Sequence, residues 1–491
     1  MTAPPQNAPA DLDHLDRSFL RGIAWTGAAR WSTQIVSWTA TYFLARLLTP
    51  DDFGVVALGA VYVGFVSLVT EMGLGTAVVT FRDLTDHEMR QINGLALLVG
   101  MLGCGVTAAM AVPIGLFFQS DVLPPIVAVM GLTFIVSSLR TVPIGILQRE
   151  FRFKLIAGFE AMQGVLLAAA QTVFAFAGFR AWSLVLGELT ALSAATLVLV
   201  AYRHRGFAVP RRASLSRVTT FTANILATRI SWYLYSNADF VIVGRVLGVR
   251  ALGTYRMAWN VSTAPIQKIV EVVTRVTPAV FSAVQRDHAA LRRYVLVITE
   301  ALATVTFPAS VGITLVADDL VKVALGPAWL SAILPLRLLA AYVALRTIST
   351  IPSQVLTVTG DTEFTMRNGI RALVVMPAAF LIGSFWGSAG VAAAWIVAYP
   401  TIIVPVYLRL FRRIELSAGS YLAAVGPATS GTVAMALAVF GVRLLFSEGT
   451  APVARLATQV VVGVAVYAGW VLGVHRGRIA RLIEGVRRIR R

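Results

Sequence analysis

Cysteine, charge and long polar segments are all scarce in this chain of 491 residues. The single cysteine, Cys104, excludes a disulfide or a thiolate metal site formed within one chain. Charged residues make up 13% of the sequence, whereas they make up roughly 25% of soluble domains. The sequence also has no GxxxxGK[ST] phosphate loop. A soluble domain and an ATP-driven pump are therefore both disfavoured, and we expect no cofactor and no metal.

Apolar residues dominate instead, at 57% of the chain with a mean hydropathy of +0.75. A membrane-spanning helix needs about 20 mostly apolar residues. We therefore predict an all-α integral membrane protein with about 14 transmembrane helices. The predicted spans are roughly 19–45, 53–80, 92–118, 123–147, 154–177, 181–202, 217–247, 252–283, 293–316, 329–358, 365–386, 388–408, 419–446 and 453–474.

The net charge of +18 is distributed unevenly along the chain. With the N-terminus in the cytoplasm, 27 Lys or Arg residues fall on the cytoplasmic side and eight on the outer side. This asymmetry follows the positive-inside rule and places both termini in the cytoplasm. The first 18 residues are polar and lack a cleavable signal peptide. Topology and contact with membrane lipids explain the basic loops, and we expect no nucleic-acid partner.

The chain contains an internal repeat with an offset of 199 residues. The offset aligns Arg30 with Arg229 and Gly54 with Gly253, and an offset of 209 aligns Gly178 with Gly387. Two pseudo-symmetric six-helix bundles followed by two additional helices account for both offsets and for the span count. The predicted domains are a cytoplasmic tail (1–18), an N-terminal bundle (19–202), a basic cytoplasmic linker (203–216), a C-terminal bundle (217–408), two additional helices (409–475) and a basic cytoplasmic tail (476–491).

Arg30 and Arg229 lie deep inside apolar segments, where an arginine is costly unless it faces water or a counter-charge. Polar residues at helical spacing follow each arginine, which predicts one polar stripe on each helix. The stripes contain Arg30, Gln34, Ser37 and Thr41 in the first span, and Arg229, Tyr233 and Ser236 in the seventh. We expect both stripes to line a central cavity and to contact substrate. Hydrogen bonding between helices is the structural alternative.

Other charged residues within the predicted spans extend this candidate site. Lys268, Arg275 and Arg346 are further cavity cations, and their excess over nearby acids predicts an anionic ligand that carries a phosphate or carboxylate. Arg140 lies near a span end, so its charge could instead reach the membrane surface. Glu71, Asp239, Glu271 and Glu300 are candidate coupling groups or counter-charges.

Three stretches resemble Wzx-type polysaccharide flippases of the multidrug/oligosaccharidyl-lipid/polysaccharide exporter superfamily, especially the teichuronic and colanic acid exporters. They are LARLLTPDDFGVVAL at Leu44–Leu58, LQREFRF at Leu147–Phe153 and GSAGVAAAW at Gly387–Trp395. The resemblance implies a protein of the bacterial cytoplasmic membrane that moves an undecaprenyl-pyrophosphate-linked oligosaccharide to the outer leaflet. It further implies alternating access through a cationic cavity and contact with polysaccharide polymerase or export machinery.

Three other functions stay open from the sequence. A lipid II flippase of the same superfamily would also bind a pyrophosphate. A cation-coupled multidrug exporter is disfavoured because the first span has no carboxylate. A membrane glycosyltransferase or polymerase is the enzyme alternative, and it is disfavoured because the longest connection between spans is only about 15 residues. We therefore expect a transporter and no enzyme activity.

Overall fold

The computed structural model describes residues 34, 36–71, 74–81, 83–204, 206–211, 230, 232–447 and 449–477. Within these ranges the secondary structure is helical, with short turns between helices and no β-strand. This result confirms the prediction of an all-α protein. Helices suit a bilayer because each backbone N–H and C=O group finds its partner within the same segment.

The helices are numbered in chain order, with two π-helical turns and one 3₁₀ helix between them. They are α1 (36–47), α2 (Pro50–Glu71), α3 (Leu74–Thr80), α4 (Asp86–Phe118), α5 (Leu123–Met130), α6 (Leu132–Arg149), α7 (Phe153–Phe176), α8 (Ala181–Tyr202), α9 (232–236), α10 (Ala238–Ile242), a π turn (Val243–Leu247), α11 (Val249–Ala283), α12 (His288–Leu320), a second π turn (Val321–Leu325), a 3₁₀ helix (Pro327–Ala332), α13 (Ile333–Ile348), α14 (Thr350–Val358), α15 (Thr362–Ser384), α16 (Gly387–Arg413), α17 (Ala418–Leu444) and α18 (Pro452–Val474).

Eleven helical segments in the described part of the chain are long and apolar enough to cross a membrane. They correspond to predicted spans two to six and nine to fourteen. The first predicted span falls largely outside the described residues, and the seventh is described at residue 230 and over 232–247. The eighth corresponds to α11, which is continuous over 35 residues but carries several charged residues that make it less apolar than the others.

The chain forms two compact units. The first unit contains the described residues up to Leu48 and those from Tyr62 to 211. Within it, α3, α4 and α6 share an apolar core that includes Val78, Ile92 and Val142. The start of the basic linker folds back onto α4, because the Ala208 N–H donates to the Arg90 carbonyl at 3.0 Å.

The second unit contains Thr49–Val61 and the described residues from 230 onward. Its largest apolar cluster joins α11, α12, α14, α16 and α17, with Phe281, Leu302 and Ile351 fully buried. The last helix is attached to the same unit, since the Tyr467 hydroxyl on α18 donates to the Thr304 carbonyl on α12 at 2.5 Å.

The first turns of α2 and α11 cross each other within the second unit. They carry Gly54 and Gly253, the two glycines that the 199-residue repeat aligns. A Cβ atom on Gly54 would lie 2.0 Å from the Val249 carbonyl oxygen, and one on Gly253 would lie 1.8 Å from the Pro50 carbonyl oxygen. Gly54 and Pro50 align with Gly253 and Val249 at the 199-residue offset. The contact is therefore reciprocal, as at a twofold axis. Glycine is required on both helices because the opposing atoms belong to the backbone.

We predict that Gly54→Ala and Gly253→Ala each destabilise the protein by about 1–3 kcal/mol, because a methyl group forces two backbones apart. The unfolding temperature of the purified protein in detergent measures this effect. Gly105→Ala is the matched control, since Gly105 lies within α4 and has no atom within 4 Å of an added Cβ. A Gly54→Ala or Gly253→Ala variant as stable as the control would contradict the crossing.

Candidate functional site

The two arginines on which the predicted stripes depend, Arg30 and Arg229, lie outside the described residues. Gln34, Ser37 and Thr41 do share one helix, and the Thr41 hydroxyl donates to the Ser37 carbonyl at 2.8 Å. Gln34 is half-buried and Ser37 is exposed. Their helical spacing is confirmed, whereas their contact with a substrate stays a prediction.

The seventh-span residues Tyr233 and Ser236 make hydrogen bonds to backbone carbonyl groups. The Tyr233 hydroxyl donates to the Val61 carbonyl at 2.8 Å, so this residue attaches α9 to the end of Thr49–Val61 within the second unit. The Ser236 hydroxyl donates to the Trp232 carbonyl of its own helix. Tyr233 thus has a structural contact in addition to its predicted role in the cavity.

Asp239 occupies the centre of a buried polar site in the second unit. Its side chain is fully buried, and both carboxylate oxygens accept hydrogen bonds. The Phe240 N–H donates to Oδ1 at 2.9 Å, while the Tyr255 hydroxyl and the Trp395 indole N–H donate to Oδ2 at 2.8 and 3.1 Å. A buried carboxylate is tolerated when donors replace its lost hydration.

Stacked aromatic rings surround this carboxylate. Trp395 stacks on Tyr342 with ring centroids 4.8 Å apart, and Trp259 lies 5.6 Å from Trp395 and 5.7 Å from Phe240. These rings come from α10, α11, α13 and α16. The site therefore joins four helices that are distant in the sequence.

Two arginines complete the site. The Arg346 guanidinium carbon lies 5.6 Å from the centroid of the Trp259 ring, and that of Arg256 lies 4.9 Å from the centroid of Phe240. Both side chains are half-buried. The faces of aromatic rings attract cations without neutralising them. We call this set the aromatic–carboxylate cluster; it consists of Asp239, Phe240, Tyr255, Arg256, Trp259, Tyr342, Arg346 and Trp395.

The remaining predicted site residues lie elsewhere. Arg140 donates through Nη1 to the Gln163 side-chain oxygen at 2.6 Å and so links α6 to α7. On α11, the Lys268 ammonium lies 3.6 Å from the carboxylate of Glu271, an ion pair that spacing along the helix predicts. Arg275 lies on the same helix and Glu71 ends α2, but their side chains are outside the described part. Glu300 is a half-buried residue of α12.

Sequence reasoning identified Asp239 and Arg346 but missed the residues that join them. Arg256 is one of the eight basic residues that the predicted topology counts on the outer side, at the start of the eighth span, yet it packs within the cluster. Tyr255 and Trp259 had no distinguishing signal among the twelve Tyr and ten Trp residues of the chain. Trp395 did have a signal, because it ends the GSAGVAAAW stretch that carries the family resemblance.

Comparison with known proteins identifies the relatives of this chain. Residues 43–334 match the family model described as polysaccharide biosynthesis protein. The chain is 25% identical over 472 residues to the teichuronic acid biosynthesis protein TuaB of Bacillus subtilis (strain 168), covering 93% of this chain and 95% of TuaB. It is 22% identical over 482 residues to the succinoglycan biosynthesis transport protein ExoT of Rhizobium meliloti (strain 1021), covering 96% of each.

Among solved structures, the fold is similar to that of the lipid II flippase MurJ in an inward closed conformation. The TM-score is 0.73 with 13% sequence identity, and the match covers 93% of this chain and all of the MurJ chain. Identity this low establishes a common fold alone. The family match and these relatives confirm the resemblance to polysaccharide exporters that the three sequence stretches indicate.

We predict that the hydrogen bonds to Asp239 stabilise the second unit. Tyr255→Phe removes one donor and should cost about 1–3 kcal/mol. Asp239→Ala should cost more, because the Tyr255 hydroxyl and the Phe240 N–H each lose their acceptor, and the Trp395 indole N–H keeps only its longer bond to the Tyr255 hydroxyl oxygen at 3.2 Å. Thermal unfolding of the purified protein measures both effects.

The double variant provides the control for this prediction. Once Asp239 is alanine, the Tyr255 hydroxyl has lost its acceptor and keeps only the bond it accepts from the Trp395 indole N–H, so a further Tyr255→Phe change should cost less than it does in the wild type. Fully additive effects of the two substitutions would contradict the coupling between these side chains.

Proposed function

Because the chain belongs to the polysaccharide biosynthesis protein family, we propose that it is a flippase that carries an undecaprenyl-pyrophosphate-linked oligosaccharide across the bacterial cytoplasmic membrane. The cargo is a repeat unit of a polysaccharide such as an exopolysaccharide or lipopolysaccharide. Transport delivers it from the cytoplasmic leaflet to the outer leaflet, where polymerase and export machinery use it.

The observation that carries this proposal is the family match over residues 43–334. Two features of the chain agree with it. Eleven membrane-spanning candidates in the described part leave little aqueous mass for a catalytic domain, which favours a transporter over a glycosyltransferase or polymerase. A relative that aligns over nearly the whole chain is named for polysaccharide transport.

We propose that the cations within the spans hold the pyrophosphate. Arg30 and Arg229 are the principal contacts, and Arg140, Lys268, Arg275 and Arg346 are secondary ones. Arg346 supports this role because an aromatic face leaves its charge available to an anion. Arg140 and Lys268 already have partners in Gln163 and Glu271, so a ligand would compete with those contacts. Gln34, Ser37, Thr41, Tyr233 and Ser236 are proposed as the polar lining.

Alternating access through this cationic cavity is the proposed transport cycle, in which the two repeats rock about the bound anion. An ion gradient is one energy source for the cycle, and Glu71, Asp239, Glu271 and Glu300 are the candidate coupling groups. Consumption of the oligosaccharide outside the cell is the other.

A lipid II flippase is the second candidate, and the similarity to the MurJ fold is the observation that favours it. Its substrate also carries a pyrophosphate, so cavity cations do not separate the two functions. The names of the sequence relatives favour a polysaccharide substrate, and a cation-coupled drug exporter fits a cationic cavity less well.

We predict that a strain lacking this protein accumulates undecaprenyl-pyrophosphate oligosaccharide in the cytoplasmic leaflet and that the intact gene restores export. Arg30→Ala and Arg229→Ala should each fail to restore it at normal protein level, because the pyrophosphate loses a charged contact worth about 1.5–3 kcal/mol. Mass spectrometry of extracted lipids measures the accumulated lipid-linked saccharide, and immunoblotting of membranes measures the level of each protein variant.

Arg367→Gln is the control variant for this assay, because Arg367 is exposed and its one ion-pair partner among the described residues is Glu363 of its own helix. It should export normally. Normal export by Arg30→Ala or Arg229→Ala would contradict the substrate contact. Absence of both variants from the membrane would also contradict it, because it would indicate a structural role. Accumulation of lipid II alone would favour the second candidate function.

The topology is a separate prediction: both termini and the basic linker 203–216 are cytoplasmic. It rests on the 27 to eight distribution of Lys and Arg. In a Cys104→Ser background, a cysteine introduced by Ser214→Cys should resist an impermeant thiol reagent in intact cells and react after lysis. A cysteine introduced by Ser447→Cys should react in intact cells, and the reverse pattern would overturn the orientation.

A further inference from the structure

A polar cavity of about 460 Å³ lies at one end of the second unit. It is formed where α12 ends, α13 begins, α17 ends and α18 begins. Six ionic side chains line it: Asp318, Asp319, Lys322, Arg337, Arg443 and Arg455. None of them belongs to the aromatic–carboxylate cluster or to the proposed pyrophosphate contacts.

Both carboxylates of this cavity accept hydrogen bonds from neighbouring side chains. Asp318 Oδ2 accepts from Arg337 and, at 3.0 Å, from Arg443. Asp319 accepts from Arg455 at 2.8 Å through Oδ1 and from the Gln459 amide at 3.0 Å through Oδ2. Three arginines therefore share two carboxylates, and Lys322 adds a fourth cation.

Among the described residues that line it, the cavity has an excess of positive charge. Four cations face two carboxylates, and Lys322 has no ion-pair partner among the residues that the structure describes. The π turn Val321–Leu325 directly follows α12, so it places Lys322 beside the two aspartates. Arg455 lies in the first turn of α18, where the helix dipole is also positive. Uncompensated cations beside a low-dielectric protein attract an anion.

Two buried atoms specify the ligand further. In the described part of the chain, the Gln459 side-chain oxygen and the Arg455 Nε have no hydrogen-bond partner. Gln459 is only 1% exposed and lines the cavity, and its bond to Asp319 fixes which end of its amide is the nitrogen. The free oxygen can only accept a hydrogen bond, and the free Nε–H can only donate one. A ligand that satisfies both atoms offers a donor, such as a hydroxyl group, to the oxygen and an acceptor, such as an anionic oxygen, to the Nε–H.

We propose that this cavity binds an anion with hydroxyl groups next to its charged group. The phosphate or carboxylate contacts Lys322 and the Arg455 Nε–H, and an adjacent hydroxyl donates to the Gln459 oxygen. Two sources offer this chemistry: the glycerol phosphate headgroup of an anionic lipid, and an acidic sugar residue. The proposal rests on the cavity alone and does not depend on the export function.

A network that only fastens the last two helices is the competing explanation. Such a network accounts for the bonds from Arg443, Arg455 and Gln459 to the aspartates of α12. It does not account for the additional charge of Lys322 or for the buried Gln459 amide oxygen, which has no hydrogen-bond partner in the described part of the chain. Lys322 is therefore the residue that separates the two explanations, since its removal strands no carboxylate.

The experiment compares charged with uncharged ligands on the purified full-length protein. Native mass spectrometry measures binding of phosphatidylglycerol against phosphatidylcholine, and thermal stabilisation measures glucuronate against glucose. We expect at least one charged ligand to bind roughly tenfold more tightly than its uncharged counterpart. Lys322→Gln should weaken that binding about tenfold, and Lys322→Glu should abolish it. The unfolding temperature without ligand should not change in Lys322→Gln.

Lys154→Gln is the matched control, because Lys154 is an exposed lysine in the first turn of α7 and is far along the chain from the cavity. It should bind as the wild type does. Selective binding of phosphatidylglycerol alone identifies a lipid headgroup, and selective binding of glucuronate alone identifies an acidic sugar. No preference for either charged ligand, or equal binding by Lys322→Gln and Lys154→Gln, would overturn the proposal and leave a structural ion network.

Discussion

The cost of removing an ionised side chain from water is the constraint on which this protein depends. In a bilayer-embedded helix that cost is met by hydrogen-bond donors, by counter-charges or by access to water. Asp239 illustrates the first solution, because three donors from α10, α11 and α16 converge on its carboxylate. Arg346 is half-buried, and its guanidinium lies against the face of the Trp259 ring, which attracts a cation. Each solution requires several helices to come together, so the charges determine the packing around them.

The internal repeat adds a second constraint, which acts through backbone geometry. Two copies of one helix start can cross closely only if neither carries a side chain at the crossing point. Gly54 and Gly253 meet this condition reciprocally, and each lies against the backbone of the other copy. The duplication thus supplies a glycine at the equivalent position of each copy, where the two helices cross. A single substitution in either copy disturbs the same crossing.

The two anion-binding environments proposed for this chain differ physically. The cations proposed for the pyrophosphate lie within spans, where desolvation strengthens attraction and makes binding sensitive to each charge. The cavity at the ends of α12 and α18 combines excess charge with hydrogen-bonding groups of fixed direction, such as the Gln459 amide. A site formed by cations alone selects for charge, while an end-of-helix pocket can select for hydroxyl geometry as well. A transporter of glycans benefits from keeping these two forms of recognition separate.

The sequence by itself determined the all-α membrane class, the helical spacing of Ser37 and Thr41, and the family, because apolar length, periodicity and local motifs are properties of contiguous residues. It also singled out Asp239 and Arg346, since a charge within an apolar run is visible without a structure. Only the tertiary structure decided that Asp239 accepts from Tyr255 and Trp395, which lie 16 and 156 residues away along the chain. It likewise decided which excess cation remains beside Asp318 and Asp319. The packing of helices that are distant in the sequence determines which side chains come within hydrogen-bonding distance of a buried charge. Composition and residue spacing carry no information about that packing.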